Sequence, residues 1–583
     1  MSESVEVIRL PKSTGTHGDI FAAVGLADVL GPVVPGSITF RESEIAFEVV
    51  LPGPLRAADA RRIPQHPGYP FLKANEKTSI PAGVLDLVDY KAEKAKAERR
   101  KQTRAAGKGK RARRAANPEV EQAMQEEQVR DDWRLLQVLN TLQGDETANK
   151  VYAAIVGLDP NRWQSAMATA VERLARGDAH EPDWKVSTVQ LFTPTAAKGY
   201  SRLKPDSTDR NDKTKDKWAD PFLDWLKYRG YFRVACPFFQ GPRGEHIRLL
   251  CPVPHDISAR ALELVARELR RVGYFGGPPK TDAMAVLHIA ELLVRHSEEY
   301  HDPDAEVWPG LSLAGRTPAA AISGVMITNY QSLGNAKAVS AMSTLSLPGW
   351  FPIKDASGAR AWLEILDEHQ RVVRGLRDDH SDEIGLLLRY RGFLESREAG
   401  AASALVEFME HYGPFLLRAR EQKRRVRAFR TDHTRRILTA MDTRLGDILD
   451  DPGFQAVATA VRKATVNAQA LKAMNRPDYR AIRYDLLPEI RRKRSLPGVV
   501  ALMEVVSDFV SSYNVENARR REMNKEAPRN VTTDEFAAFS RLVERHGPSL
   551  VGALLGAFGS CREPREDGAV PPGDDGQSAR QAE

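Results

Sequence analysis

From about residue 358 to 558, every periodic segment of this chain repeats its apolar residues at i, i+3 and i+4. Such stripes are stable only when helices bury them against one another, so these two hundred residues must form a helical bundle. Trp362, Ile365, Leu366, His369 and Val373 make one stripe; Leu405, Phe408, Met409 and Tyr412 make another. Ile437, Leu438, Met441, Leu445 and Ile448 make a third, closed by the turn signal Asp450 to Gly453. Leu502, Val505, Val506, Phe509 and Tyr513 follow Pro497. Thr532 and Glu535 have capping-box spacing ahead of Phe536, Phe539, Leu542 and Val543. Leu550, Leu554, Leu555 and Phe558 end the series. A fragment starting near Met409 is expected to fold alone.

Upstream the pattern is mixed. Residues 4–51 read as β-α-β-β: a strand at Ser4–Leu10, a helix at Asp19–Leu30, and a hairpin of Ser37–Phe40 with Ile45–Leu51. Pro-rich loops follow to about residue 81, then a short helix. Residues 119–176 are helical. Strands are expected at Val186–Phe192, Phe232–Phe239, His246–Val253, Gly324–Leu333 and Thr344–Leu347. Helices are expected from Asp256 or Ser258 and over 281–296. The fold class is therefore α+β: N-terminal and middle mixed α/β regions with antiparallel strands, then a C-terminal all-helical bundle. The expected division is 1–90, a basic disordered linker 91–118, a helical segment 119–180, an α+β nucleic-acid-facing domain 181–357, the bundle 358–560 and a disordered tail 561–583. A length of 583 residues agrees with several domains. The three cysteines, Cys236, Cys251 and Cys561, form no disulfide framework, and the first two read as buried strand residues. Neither a membrane span nor a signal peptide is apparent, so a cytoplasmic location is expected.

Charge is segregated. The chain carries +7 overall, but residues 91–114 hold twelve Lys/Arg against two Glu, and 411–530 hold twenty-five Lys/Arg against fourteen Asp/Glu. Concentrated positive charge favours a polyanion, most often nucleic acid. Within it, Arg420, Lys423, Arg427 and Arg430 have the spacing of one helix face, and Arg491–Arg494, including Arg492 and Lys493, and Arg519–Arg521 stand at element ends. A row of cations can follow a phosphodiester backbone. Lys198, Tyr200, Arg202 and Lys204 occupy a Gly-hinged polar loop suited to phosphate contact and base stacking. Asn329, Gln331, Asn335 and Lys337 end a strand, where amides can read base edges.

Catalytic signatures are weak. No P-loop, GxSxG or HExxH motif occurs. The turn from Lys12 to Asp19 before a helix could cradle a phosphate, though an ordinary strand-to-helix turn is the better reading. His288, His296, His301 and Asp302 raise the alternative of a metal-dependent nucleic-acid phosphohydrolase. His288 and His296, however, lie about 12 Å apart along a helix. The acidic group Asp378, Asp379, His380, Asp382 and Glu383 reads as a loop. Neither metal nor cofactor is expected. A free-standing RNA-binding protein is the other alternative.

Several stretches together resemble the large subunit of type I CRISPR surveillance complexes (Cascade): KGYSRLKPD with WADPFLDWLKYRGYFR, CPVPHDISARALELVARELRRVGYFGG, ITNYQSLGNAKA, MNRPDYRAIRYDLLPEIRRKRS, VVSDFVSSYNVENARRR and VTTDEF. The likeness spans roughly 180–560. It implies a non-catalytic, antiviral-defence subunit of a ribonucleoprotein complex. Such a subunit holds the guide RNA's 5′ end, inspects target DNA for a short flanking motif and recruits a separate helicase-nuclease. Sequence reading itself falls to RNA–DNA pairing. It also implies that the C-terminal bundle resembles the complex's small subunit, beside the displaced strand, with the other subunits as partners.

Overall fold

The computed structural model describes residues 5–108, 128–177, 191–192, 221–241, 244–272, 275–333, 336–396, 399–473 and 480–564. The chain splits into two compact units, Met1–Leu363 and Glu364–Glu583. Among the described residues no helix is long and apolar enough to cross a membrane.

The first unit runs β1 (Val5–Pro11), α1 (His17–Leu30), β2 (Thr39–Glu42), β3 (Ala46–Leu55), α2 (Ala57–Ala60), β4 (Phe71–Lys73), β5 (Leu87–Asp89) and α3 (Tyr90–Lys108). Then come α4 (Trp133–Thr141), α5 (Asp145–Val156), α6 (Pro160–Arg176), α7 (Pro221–Val234), β6 (Cys236–Gln240), β7 (His246–Pro254), β8 (Asp256–Ser258), α8 (Ala259–Arg271), α9 (Pro278–Arg295), β9 (Ile322–Leu333) and β10 (Ala336–Ser346). One antiparallel sheet has the order β1-β3-β2-β8 and a second β10-β9-β7-β6. The α+β class is as expected, and Cys236 and Cys251 are buried in strands.

The separation of an N-terminal region from a middle domain does not hold. Thr39–Arg41 of β2 pairs with Asp256–Ser258 of β8, so residues far apart in sequence complete one sheet. Helices α1 and α7 are also pressed together. A Cβ built on Gly25 would lie 1.8 Å from the Leu226 carbonyl oxygen, and one on Gly230 would lie 2.0 Å from that of Phe21. Only glycine allows the two backbones to approach this closely. From α7, the buried polar tips of Trp225, Tyr228 and Tyr231 donate to the carbonyls of Pro67, Gly144 and Leu135. The segment 128–177 is thereby tied to the same core, and satisfied tips let large aromatics be buried without a polar penalty.

Three local expectations are corrected. Phe232–Val234 belong to α7, and the strand starts only at Cys236, because Trp225, Tyr228 and Tyr231 continue a helical repeat. The supposed loops contain β4, and its parallel partner β5 stands where a short helix was expected; three-residue strands are too short to show alternation. The basic run is not a linker from its start. Tyr90–Lys108 is a helix, Tyr90 packs on Trp133 at 5.2 Å, and Glu93 is buried with Lys96 Nζ at 2.7 Å. The rest of that run, and 186–190, lie outside the described residues.

The second unit begins within α10 (Ala356–Gly375). It continues through α11 (Ser381–Glu395), α12 (Ala399–Glu421), α13 (Thr431–Met441), α14 (Leu445–Leu449), α15 (Pro452–Ala464), α16 (Val466–Ala473), α17 (Leu486–Arg494), α18 (Val500–Glu522), α19 (Thr533–His546) and α20 (Pro548–Gly559). The capping box is complete: Thr532 Oγ1 accepts from the Glu535 N–H, and the Glu535 carboxylate accepts from the Thr532 N–H. An aromatic cluster of His369, Tyr390, Phe408, Tyr412 and Phe429 joins α10, α11 and α12. Burial, with His433 nearby, lowers the His369 pKa to about 3, so the ring bonded to the Tyr390 hydroxyl is neutral. Met409 lies midway along α12, so a fragment starting there would lack His369, Tyr390 and Phe408 of this cluster.

Candidate nucleic-acid interface

Lys198, Tyr200, Arg202, Lys204 and Asn335 lie outside the described residues. Asn329 and Gln331 lie on β9, two residues apart and so on one face, with the buried Tyr330 on the other. Asn329 ends a polar chain that sequence reading missed. Asp282 takes two hydrogen bonds from Arg248, one at 2.6 Å from Nε, and Arg248 Nη1 donates to Asn329 Oδ1 at 2.6 Å. Arg248 and Asp282 are both buried, so breaking this pair would leave a buried charge uncompensated. Gln331 is exposed. Lys337 sits in β10 opposite Ser332, and its Nζ donates to the Glu245 carbonyl. Strand β9 ends at Leu333 as expected, whereas β10 begins at Ala336, ahead of the expected Thr344.

The four cations assigned to one helix face do not share one. Helix α12 ends at Glu421, after Arg420. Lys423 adopts a left-handed conformation (φ 59°) with its N–H on the Arg420 carbonyl, closing the helix end. Arg427 is in the following irregular segment, and Arg430 is the residue before α13. The regular spacing was read through a helix stop that contains neither Gly nor Pro. Arg430 is also engaged, with Nε and Nη2 on Asp432 at 3.0 and 2.6 Å.

Other cations of this segment serve the fold. Arg494 grips the buried Glu410 carboxylate at 2.6 and 2.5 Å. Arg424 and Arg377 share Glu383, whose carboxyl they hold at about 2 against the opposing effect of burial. Arg480 is buried, bonded to Asn517 at 2.6 Å and to Glu516 at 2.9 Å, with its guanidinium 4.2 Å from the Tyr513 ring centroid. The excess of positive charge is therefore only partly available to a ligand.

Part of what remains lies on α17. This helix, with α12, α20 and the segment 442–448, walls a groove of about 1280 Å³. Val406, Leu445, Ile448 and Leu554 give it apolar walls, and Arg444, Arg491 and Arg492 line it. Arg491 is half-buried and makes no ion pair among the described residues; Arg492 is exposed, with Glu489 at 3.4 Å. Lys493 pairs with Glu504 at 3.5 Å. Arg444, paired with Asp442 at 2.8 Å, stands alone in sequence and gave no local signal.

The other chemical candidates resolve differently. His288 Nδ1 is 3.4 Å from Glu291, whereas His296 stacks on Trp308 at 4.1 Å with Nδ1 on the Glu306 carbonyl. Asp302 accepts from the Tyr300 hydroxyl and the Asp304 N–H. Among the described residues no group of three His, Cys, Asp or Glu is placed to hold a metal. The Lys12–Asp19 turn is filled by its own carboxylate: Asp19 accepts from the N–H groups of Thr14 and Gly15 at 3.1 and 2.8 Å. Next to it, His17 is buried between Thr328 Oγ1 and the Leu191 carbonyl. The acidic group near residue 380 is a loop followed by the first turn of α11. No protein-family model matches the chain, and a search of curated proteins finds no match.

Proposed function

We propose that the chain is the non-catalytic large subunit of a type I CRISPR surveillance complex. In this reading it binds the guide RNA's 5′ end and target DNA, recognises the flanking motif and recruits a helicase-nuclease. The observation that carries the reading is the charge of the second unit, +11 over 411–530. After the structural ion pairs are set aside, Lys423, Arg425, Arg491 and Arg519 still make no ion pair among the described residues. Unneutralised cations on a folded helical surface suit a polyanion whose sequence is read by pairing and not by the protein. The resemblance over roughly 180–560 supplies the specific complex.

The test is to co-express the chain with the products of neighbouring genes and to sequence the RNA that co-purifies. Repeat-derived guide RNA, and a target-DNA shift that depends on the guide and the flanking motif, are the expected results. A preparation that carries no RNA and ignores target DNA overturns the reading. Charge reversal at Arg491 and Arg492 should weaken DNA binding while guide RNA stays bound. It should also lower the slope of log K against log salt by about 0.9 per lost duplex phosphate contact.

A further inference from the structure

A second, smaller cleft lies in the bundle, lined by none of the cations singled out in the sequence. Helices α13 and α15 wall it, its volume is about 400 Å³, and three arginines line it: Arg435, Arg436 and Arg462. That volume suits a small ligand or a single nucleotide.

Arg462 is the unusual one. Its side chain is only 10% exposed, yet its Nε–H has no hydrogen-bond partner among the described residues. Nη2 donates to Thr459 Oγ1 at 2.7 Å. Its ion-pair carboxylate, Glu563, is 3.8 Å away and also meets Lys463 at 3.4 Å. Burial acts against the Arg462 charge and lowers its pKa. The acidic residue in the wall, Asp432, is already held by two bonds from Arg430. Arg435 pairs with Asp450 at the surface. The cleft thus presents a buried guanidinium with an unused donor, two further guanidinium groups, and the hydroxyl-bearing Thr439 and Thr459.

A buried cation without full compensation is costly, and an anion with several acceptor oxygens supplies the missing partner. The planar guanidinium fork matches phosphate better than a point charge does. We propose that this cleft is a phosphate-binding subsite, taking either a phosphodiester of single-stranded nucleic acid or a free phosphate group. The diester source rests on the function proposed above; the subsite itself does not.

The test uses the full chain and two probes. Thermal unfolding is followed in millimolar potassium phosphate against potassium chloride of equal ionic strength. Binding of fluorescein-labelled oligothymidylate is followed by anisotropy. The variants are Arg462→Met and the surface pair Arg435→Gln with Arg436→Gln. The pair does not touch the core, so a folding defect in the first variant leaves the second informative. The expected result is a phosphate-specific rise in Tm that both variants lose. If the diester is the source, both variants also weaken oligothymidylate binding by about tenfold, and phosphate competes with it. If free phosphate is the source, the Tm effect is lost while oligothymidylate affinity is unchanged. Absence of a phosphate-specific effect, together with variants that bind oligothymidylate as the parent does, overturns the subsite and leaves the nucleic-acid reading standing. A variant-sensitive phosphate effect in a chain that binds no nucleic acid supports the subsite and counts against that reading.

Discussion

Lys423 shows how one residue redirects an argument made from spacing. Its left-handed backbone ends α12 and breaks the row of cations that Arg420, Arg427 and Arg430 would otherwise extend. A non-glycine residue at such a φ is strained by roughly 1 kcal/mol. Lys423→Gly should therefore raise unfolding free energy by about 0.5–1 kcal/mol, partly offset by the freer unfolded chain. Urea denaturation measures it, and no gain, or a loss, would contradict the strained cap. His17 makes a second residue-scale prediction. Burial lowers its pKa from 6.5 to about 4, although its bond to the Leu191 carbonyl opposes this. Between those values the unfolded chain takes up a proton that the folded chain refuses, so stability falls as pH drops from about 6.5 towards 4. The full effect is about 3 kcal/mol. In His17→Gln this part of the pH dependence should vanish, so Tm should fall less steeply with acidification than in the parent, whatever the variant's stability at neutral pH. Parallel curves would exclude His17 as the titrating group.

At the scale of elements, the close crossing of α1 and α7 is the most sensitive contact. Gly25→Ala places a methyl group where the Leu226 carbonyl oxygen now lies, so the helices must separate. Overpacking of this kind costs about 1–3 kcal/mol or more; a variant with unchanged urea midpoint would show that the helices are not so closely packed. Residues 17–30 were legible as a helix because they are apolar with a Gly/Thr entry, but their partner was not. The contact depends on two glycines 205 residues apart, and periodicity reports only local structure. The same reason hid β8's place beside β2, and the Asp282–Arg248–Asn329 chain. The bundle stripes and the Thr532–Glu535 box were legible because their signals lie within a few turns. Arg480 and Arg494 were legible as basic residues but not as buried ion-pair partners, because their carboxylates come from other helices or from 36 residues downstream.

At the scale of the whole molecule, the position of the second unit's boundary decides what can be expressed alone. The unit starts at Glu364, inside α10, and its core uses that helix from there onward together with α11. His369 meets Phe429 at 5.0 Å, and Tyr390 meets Phe408 at 5.1 Å. The Glu368 carboxylate accepts the N–H of Arg430 at the start of α13 and lies 3.4 Å from His433. A chain cut at Met409 loses α10, α11 and half of α12, and leaves Phe408's neighbours without their apolar cover. A fragment 356–583 retains every one of these contacts. The expected outcome is a cooperative, helical 356–583 and a 409–583 that is aggregated or loses near-ultraviolet circular dichroism while keeping some helix. Two-state urea unfolding of 409–583 with a midpoint matching that of 356–583 would show that the aromatic cluster does not hold the unit together. If 356–583 folds, it also isolates the groove at Arg491 and the cleft at Arg462 from the basic helix α3. Salt-dependent binding of single-stranded nucleic acid by this fragment would then place the ligand-facing charge in the bundle, whereas binding confined to the full chain would place it upstream.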